Sequence, residues 1–191
     1  MEAFDSHKKL MKELIIIRGL NSTERHTAAA NVFDYKVGIG YCVKYINRKE
    51  FRSELILQKA SPLDLKKLCF GETADEDIPM SSFNLEEAIQ GTYRNIHWDV
   101  YCREAFWTEV KLQINRSDCN CIILEGGFIL MQDLREIERI QKFENVSILI
   151  IEVSTNTIPD NLTKRQITML LKKLDEYREK LSNIVDEYIR I

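Results

Sequence analysis

The residue types with the clearest chemical meaning follow the first apolar run of the chain. Residues 15–27 read Ile-Ile-Ile-Arg-Gly-Leu-Asn-Ser-Thr-Glu-Arg-His-Thr. A phosphate-binding loop has the form Gly-x4-Gly-Lys-Ser/Thr between a buried strand and a helix, and its backbone N–H groups and lysine hold phosphate oxygens. The apolar run, Gly19 and the spacing of this segment fit that form.

The positions that carry the chemistry of such a loop hold other residues here. Glu24 stands in place of the second glycine, Arg25 in place of the lysine and His26 in place of the hydroxyl residue, which is followed by Thr27. A carboxylate repels a polyphosphate, and glutamate resists the positive φ that glycine adopts freely. Gly19, Arg25 and Thr27 are the candidate phosphate-binding residues of this altered loop. The alternative is a surface ion pair between Arg25 and Glu24, with His26 exposed.

The elements that position this loop are predicted from apolar periodicity and capping residues. Strands are expected at 14–18, 38–45, 121–125 and 146–153. Helices are expected at 23–33, at 63–69 behind Ser61-Pro62, at 82–90 with Gly91 closing it, and from Asp99 as N-cap. Continuous apolar strands that alternate with helices predict an α/β fold, a three-layer parallel sheet with helices on both faces. No linker interrupts 1–191, so we expect a single domain.

The C-terminal residues carry an apolar stripe at helical spacing. We predict a long amphipathic helix over 166–190, whose stripe is formed by Ile167, Leu170, Leu174, Tyr177, Leu181, Ile184 and Tyr188. One interpretation is that the stripe packs on the chain's own sheet. The other is a protein partner or self-association through a helix surface, with Leu170, Leu174, Tyr177, Leu181 and Ile184 as the binding residues.

Composition narrows the classes of function. A net charge of −3 and a pI near 5.7 argue against a general nucleic-acid binder. No apolar run reaches membrane-spanning length and the first residues do not read as a signal peptide, so no membrane partner is expected and a soluble cytoplasmic or nuclear protein is predicted. The five cysteines lack disulfide-framework spacing and the three histidines are scattered, so neither disulfides nor a metal site is expected.

Three further segments extend the comparison with phosphate-binding enzymes. Residues 98–106 read Trp-Asp-Val-Tyr-Cys-Arg-Glu-Ala-Phe, residues 122–130 read Ile-Ile-Leu-Glu-Gly-Gly-Phe-Ile-Leu, and the apolar run 148–153 is followed by Pro-Asp-Asn-Leu-Thr-Lys-Arg at 159–165. In this order, and behind the altered loop, they resemble the nicotinamide riboside kinases and uridine kinases. The resemblance implies a P-loop kinase-like fold in which Asp99 binds ribose hydroxyls, Glu125 lies near the 5′-hydroxyl and the metal, and Lys164-Arg165 opens the lid.

For two of these residues a structural role is the alternative. Asp99 is also well placed as a helix cap, and the alternative role of Glu125 is a structural hydrogen bond to a loop.

The chain also departs from that family at positions that catalysis requires. The family places an aspartate base just after its second strand, whereas 43–51 offers Asn47 and Arg48, with Glu50 as the nearest carboxylate. Neither asparagine nor arginine accepts a proton at neutral pH. The long lid loop is also missing, because Lys164-Arg165 leads almost directly into the last helix.

The phosphate loop, the catalytic base and the lid thus all differ from those of the kinase family, and phosphoryl transfer depends on each of them. The main hypothesis is therefore a degenerate nucleoside-kinase-like protein, a pseudokinase that acts as a binding or scaffold module without a cofactor. The first alternative is an active kinase that transfers phosphate from ATP, with Mg²⁺, to a nucleoside 5′-hydroxyl such as that of nicotinamide riboside. Glu125 would then be its catalytic carboxylate. The second alternative is an unrelated α/β protein-interaction domain.

Overall fold

The computed structural model describes residues 12–74, 77, 79, 83–116, 118–128, 131–154 and 163–191. Its strands are β1 (Lys12–Arg18), β2 (Val43–Asn47), β3 (Cys121–Glu125), β4 (Val146–Glu152) and β5 (Glu187–Arg190). Its helices are α1 (Ser22–Gly38), α2 (Arg48–Lys59), α3 (Pro62–Phe70), α4 (Leu85–Arg94), α5 (Ile96–Asn115), α6 (Met131–Phe143) and α7 (Lys164–Ser182).

The strands form one sheet in the order β2-β3-β1-β4-β5. The pairs β1–β3, β1–β4 and β4–β5 are parallel, with Ile17 opposite Glu125 and Arg18 opposite Glu152. Five consecutive residues of β3 are buried, as expected for a strand covered on both faces. The predicted α/β fold with a parallel sheet is confirmed.

The chain divides into two compact units. One comprises the described residues of 1–45 and 113–191 and the other comprises 46–112. Each unit is described by itself below, and the single domain expected from the sequence stays a prediction.

In the first unit, alternate residues of the central strands face opposite helices, because side chains alternate along a strand. On one face Ile15, Ile17 and Ile123 pack with Ala28 and Ala29 of α1. On the other face lies α7, since the Arg18 guanidinium donates from Nη2 to the Leu174 carbonyl at 3.2 Å. The predicted layers of helix on both faces are therefore present in this unit.

The second unit is helical, and its core is formed by residues of α2 to α5. Ser61 begins α3 with a capping box to Asp64, which confirms that predicted helix start. Gly91 does not close α4, as expected from the sequence, but lies inside it. A Cβ on Gly91 would come within 1.9 Å of the Leu68 carbonyl oxygen, so its missing side chain allows α3 and α4 to approach closely.

The predicted start of α5 is also corrected. The N-cap is Asn95, whose side chain accepts from the backbone N–H groups of His97 and Trp98 at 3.1 Å. Asp99 lies in the first turn instead of at the cap. Asparagine and aspartate cap helices about equally well, so residue type alone did not distinguish Asp99 from Asn95, four residues earlier.

The C-terminal helix is shorter than predicted. Instead of extending over 166–190, α7 ends at Ser182 and the chain returns as β5. Asp186 directs this turn, since its carboxylate accepts from the Ile148 N–H at 2.6 Å and its own N–H donates to the Ile148 carbonyl. Pairing with the open edge of β4 outweighs the helical periodicity of residues 184–188. Among the described residues, no helix is both long and apolar enough to cross a membrane.

Candidate functional site

Three buried charged residues end the three central strands. Arg18 ends β1, Glu125 ends β3 and Glu152 ends β4, and each is at most 3% exposed. Parallel sheets bind ligands at this carboxyl end, most often where successive connections leave in opposite directions. The connection from β1 leads towards β2 and that from β4 leads towards β5, so β1 lies at such a point.

The loop after β1 is short and its helix begins early. Only Gly19, Leu20 and Asn21 separate β1 from Ser22, the first residue of α1. The Asn21 side chain accepts from the N–H groups of Thr23 at 2.9 Å and Glu24 at 3.2 Å. The amides that would cradle a phosphate are therefore already hydrogen-bonded to a side chain of the same loop.

Gly19 allows the backbone after β1 to lie close to the backbone after β4. Its φ is +151°, and a Cβ on it would lie 2.8 Å from the Val153 carbonyl oxygen beyond β4. A side chain at this position is excluded by both the backbone angle and the contact. Gly19 is thus required by packing whether or not an anion binds.

Arg25 is directed back towards the protein. Its guanidinium donates from Nη1 to the Gly19 carbonyl at 2.6 Å, and its Nε lies 3.9 Å from Glu125 Oε1. Thr27 donates its hydroxyl to the Thr23 carbonyl one helical turn earlier. Of the predicted site residues, the structure therefore brings Gly19, Arg25 and Glu125 together, while Thr27 bonds within α1.

Glu125 is the centre of a polar cluster that the sequence did not predict. The Tyr45 hydroxyl donates to Glu125 Oε2, and Nδ1 of His26 lies 3.3 Å from the same oxygen. The imidazole is 62% exposed while the carboxylate is 3% exposed. His26 and Tyr45 were missed because they lie 99 and 80 residues from Glu125 in the chain. His26 lies in α1 and Tyr45 lies within β2, so no local signal in the sequence links either residue to Glu125.

Glu152 is the centre of a second cluster. Arg178 donates to its Oε1 from Nε at 3.0 Å, Arg18 Nε lies 3.6 Å from Oε2, and Tyr188 donates its hydroxyl to Oε2. Arg190 approaches to 3.8 Å. Burial lowers the pKa of Arg18. Burial and the hydrogen bond to Glu152 raise the pKa of Tyr188. The cluster ties α7 and β5 to the ends of β1 and β4.

The predicted ribose-binding residue belongs to the helical unit. Asp99 accepts from the guanidinium of Arg52 at 2.9 Å and from that of Arg103. Arg52 also donates to the Thr92 hydroxyl at 2.7 Å. Asn47, which the sequence analysis placed at the position of the catalytic base, is the N-cap of α2 and accepts from the N–H groups of Lys49 and Glu50.

The predicted partner-binding stripe is divided between buried and half-buried positions. Leu174 is 4% exposed and Leu181 is 1% exposed, whereas Leu170, Tyr177 and Ile184 are half-buried. Leu174 and Leu181 pack on the chain's own fold, which is the other interpretation of this stripe. Partner binding through these residues stays a prediction.

The predicted lid segment falls mostly outside the described residues, which resume at Thr163. Thr163 caps α7 in a capping box with Gln166, so Lys164 and Arg165 belong to the first turn of the helix, which begins two residues before the predicted start at 166. Within the described part of the chain, no group of three or more His, Cys, Asp or Glu side chains is placed to hold a metal ion.

The chain was compared with known proteins. No family model and no curated protein matches it. Among solved structures it is similar to a candidate kinase from Chloroflexus aurantiacus, with a TM-score of 0.49 and 8% sequence identity over 95% of this chain and 85% of that one.

Proposed function

We propose that this chain is a catalytically degenerate relative of the P-loop nucleoside kinases and acts as a binding or scaffold module. The observation that carries the proposal is the Asn21 side chain, which occupies the N–H groups of Thr23 and Glu24. In a working loop these amides face the phosphates. A phosphate here would have to displace an asparagine that already satisfies the helix start.

The contacts of Arg25 and the residue type at position 47 support the same proposal. Phosphoryl transfer depends on cations that neutralise the transferring group. The Arg25 guanidinium instead contacts the Gly19 carbonyl and Glu125, which belong to the protein itself. Asn47, in the place of the catalytic base, caps a helix and has no proton-accepting group of suitable basicity.

Calorimetric titration with ATP and Mg²⁺ tests this function. We expect no heat of binding for the natural chain at micromolar protein concentrations. The matched variant Asn21→Gly/Glu24→Gly/Arg25→Lys frees the amides and supplies a lysine, and we expect it to gain Mg²⁺-dependent binding. Tight, Mg²⁺-dependent ATP binding by the natural chain would contradict the proposal.

The scaffold role requires a protein partner or self-association. Because Leu174 and Leu181 are buried, a contact through α7 would use its exposed apolar residues Met169 and Leu171. Measurement of the molar mass by light scattering tests self-association directly. A mass equal to that of the single chain at all concentrations would leave a different protein as the partner.

An active nucleoside kinase is the second candidate function. It is favoured by Glu125, a carboxylate at the end of β3, where parallel sheets bind ligands, and by Asp99, the counterpart of the ribose-binding aspartate. Incubation with ATP, Mg²⁺ and a nucleoside panel that includes nicotinamide riboside tests it. Phosphate transfer that is lost in Glu125→Gln would establish this activity in place of the scaffold role.

A further inference from the structure

A groove beside α1 adjoins the Glu125 cluster. It has a volume of about 210 Å³ and is lined by His26, Ala29, Ala30, Phe33, Asp34 and Tyr45. Five of these residues recur at the three- and four-residue spacing that places side chains on one helix face. All six belong to the first unit. Two of the lining residues, Ala29 and Ala30, have small side chains that leave space for a ligand.

The hydrogen bonds of the cluster determine which nitrogen of His26 carries a proton. An ionised carboxylate only accepts hydrogen bonds. The Tyr45 hydroxyl directs its proton to Glu125 Oε2, so it has none to offer Nδ1 of His26, 3.4 Å away. Nδ1, at 3.3 Å from the same Oε2, must therefore be the donor. In the neutral ring, the lone pair is then on Nε2.

That Nε2 lone pair is available to a ligand. The His26 side chain is 62% exposed, and its polar contacts within the described part of the chain are all made through Nδ1. A buried carboxylate that holds Nδ1 also fixes the orientation of the ring. His26 thus presents a positioned hydrogen-bond acceptor at one end of the groove.

The opposite end of the groove carries a negative charge. Asp34 lies eight residues after His26, which corresponds to about 12 Å along a helix. Between them, Phe33 and the two alanines provide an apolar wall. An acceptor, an apolar wall and a carboxylate in this order suit a flat ring with a hydroxyl at one end and a cationic amine at the other.

We propose that this groove binds a small hydroxyaryl amine, with His26 Nε2 accepting its hydroxyl, Phe33 packing on its ring and Asp34 pairing with its ammonium group. The groove begins at His26 of the altered phosphate loop and continues along α1, away from Gly19 and Arg25, and a ligand there goes beyond the scaffold function. It requires neither ATP nor a metal ion. The ATP titration and the test below can therefore fail independently.

Tyramine is the probe, and two-dimensional ¹H–¹⁵N NMR spectra of the full chain are the measurement. We expect saturable shifts centred on the groove with a Kd of about 1 mM or lower, as suits a ligand of this size. Phenethylamine lacks the hydroxyl and 4-hydroxyphenethyl alcohol lacks the ammonium, and each should bind about tenfold more weakly, the effect of losing one good polar contact.

Variants assign the two ends of the groove. His26→Phe keeps a ring and should weaken tyramine about tenfold, while Asp34→Asn should weaken tyramine and leave 4-hydroxyphenethyl alcohol unchanged. Asn31→Ala, an exposed change elsewhere on α1, is the matched control and should bind as the natural chain does.

Three results would overturn the proposal. They are the absence of saturable shifts up to a tenfold excess over the expected Kd, equal binding by the His26→Phe and Asn31→Ala variants, and a His26 side-chain ¹⁵N spectrum that shows the Nε2–H tautomer. Thermal unfolding of each variant verifies that a loss of binding is not a loss of fold.

Discussion

At the scale of single residues, charged groups at the strand ends are bonded within the protein. Glu125 accepts from Tyr45 and His26, and Glu152 is surrounded by arginines and Tyr188. A buried carboxylate is costly unless its oxygens are paired. Glu125 and Glu152 therefore stabilise the ends of the strands only as long as their hydrogen-bond and ion-pair partners are present.

Tyr188→Phe tests the Glu152 cluster. The change removes one hydroxyl donor from a buried carboxylate and leaves the ring in place, so we expect a loss of about 2 kcal/mol in the free energy of unfolding. Urea denaturation measures it. Tyr35→Phe, at a tyrosine that is 63% exposed, is the control and should change stability by less than about 0.5 kcal/mol. Equal effects of the two changes would contradict a stabilising role for this hydrogen bond.

At the scale of elements, close packing determines features that local sequence leaves open. Gly91 is a helix-ending residue by its type, yet the contact with Leu68 places it within α4. Residues 184–188 continue a helical stripe, yet the edge of β4 recruits them into a turn and a strand. In both cases the determining partner lies in another element.

Gly91→Ala tests the contact between α3 and α4. A methyl group would meet the Leu68 backbone at 1.9 Å, so the helices must move apart, and we expect a loss of about 2 kcal/mol despite the better helix propensity of alanine. Gly38→Ala, where a Cβ has nothing within 4 Å, should be neutral or stabilising. Thermal unfolding of both variants distinguishes contact from propensity, and a neutral Gly91→Ala would refute the contact.

Leu174→Asp tests the two interpretations of the apolar stripe. Leu174 is 4% exposed, so a carboxylate there should cost at least about 3 kcal/mol and unfold the chain at a lower urea concentration. Leu171→Asp, at a position that is 42% exposed on the same helix, should remain as stable as the natural chain. If Leu174→Asp stays folded and loses only a binding partner, the stripe is an interaction surface instead.

At the scale of the whole molecule, buried thiol and phenol groups that stay neutral in the folded state lower the free energy of unfolding as the pH rises into the alkaline range. Burial raises the pKa of the Cys121 thiol to about 12 and also raises the pKa values of Cys102 and Tyr188. In the unfolded chain, thiols titrate near pH 8.5 and tyrosines near pH 10. Above these values the unfolded state loses protons that the folded state keeps, so deprotonation favours unfolding.

We therefore expect full stability from these groups below about pH 8.5 and a progressive loss between about pH 8.5 and pH 12, with a slope of up to about 1.4 kcal/mol per pH unit for each group. Urea denaturation at pH 8, 9, 10 and 11 measures this slope. We expect Cys121→Ala to be less stable at pH 8, because the side chain is buried, but to show a shallower slope. A free energy of unfolding that is constant from pH 8 to pH 11 would contradict the prediction.

The sequence by itself determined the central strands, the layered α/β class and the capped start of α3, because apolar runs and capping residues act within a few positions of the chain. It also singled out Gly19, Arg25 and Thr27 from the form of the altered phosphate loop and Glu125 from the resemblance to nucleoside kinases, and the function of these residues stays a prediction. Only the tertiary structure decided that Tyr45 and His26 share Glu125 and that the last residues form β5. Both features depend on groups that the fold brings together from distant parts of the chain, and such contacts are not encoded in local periodicity.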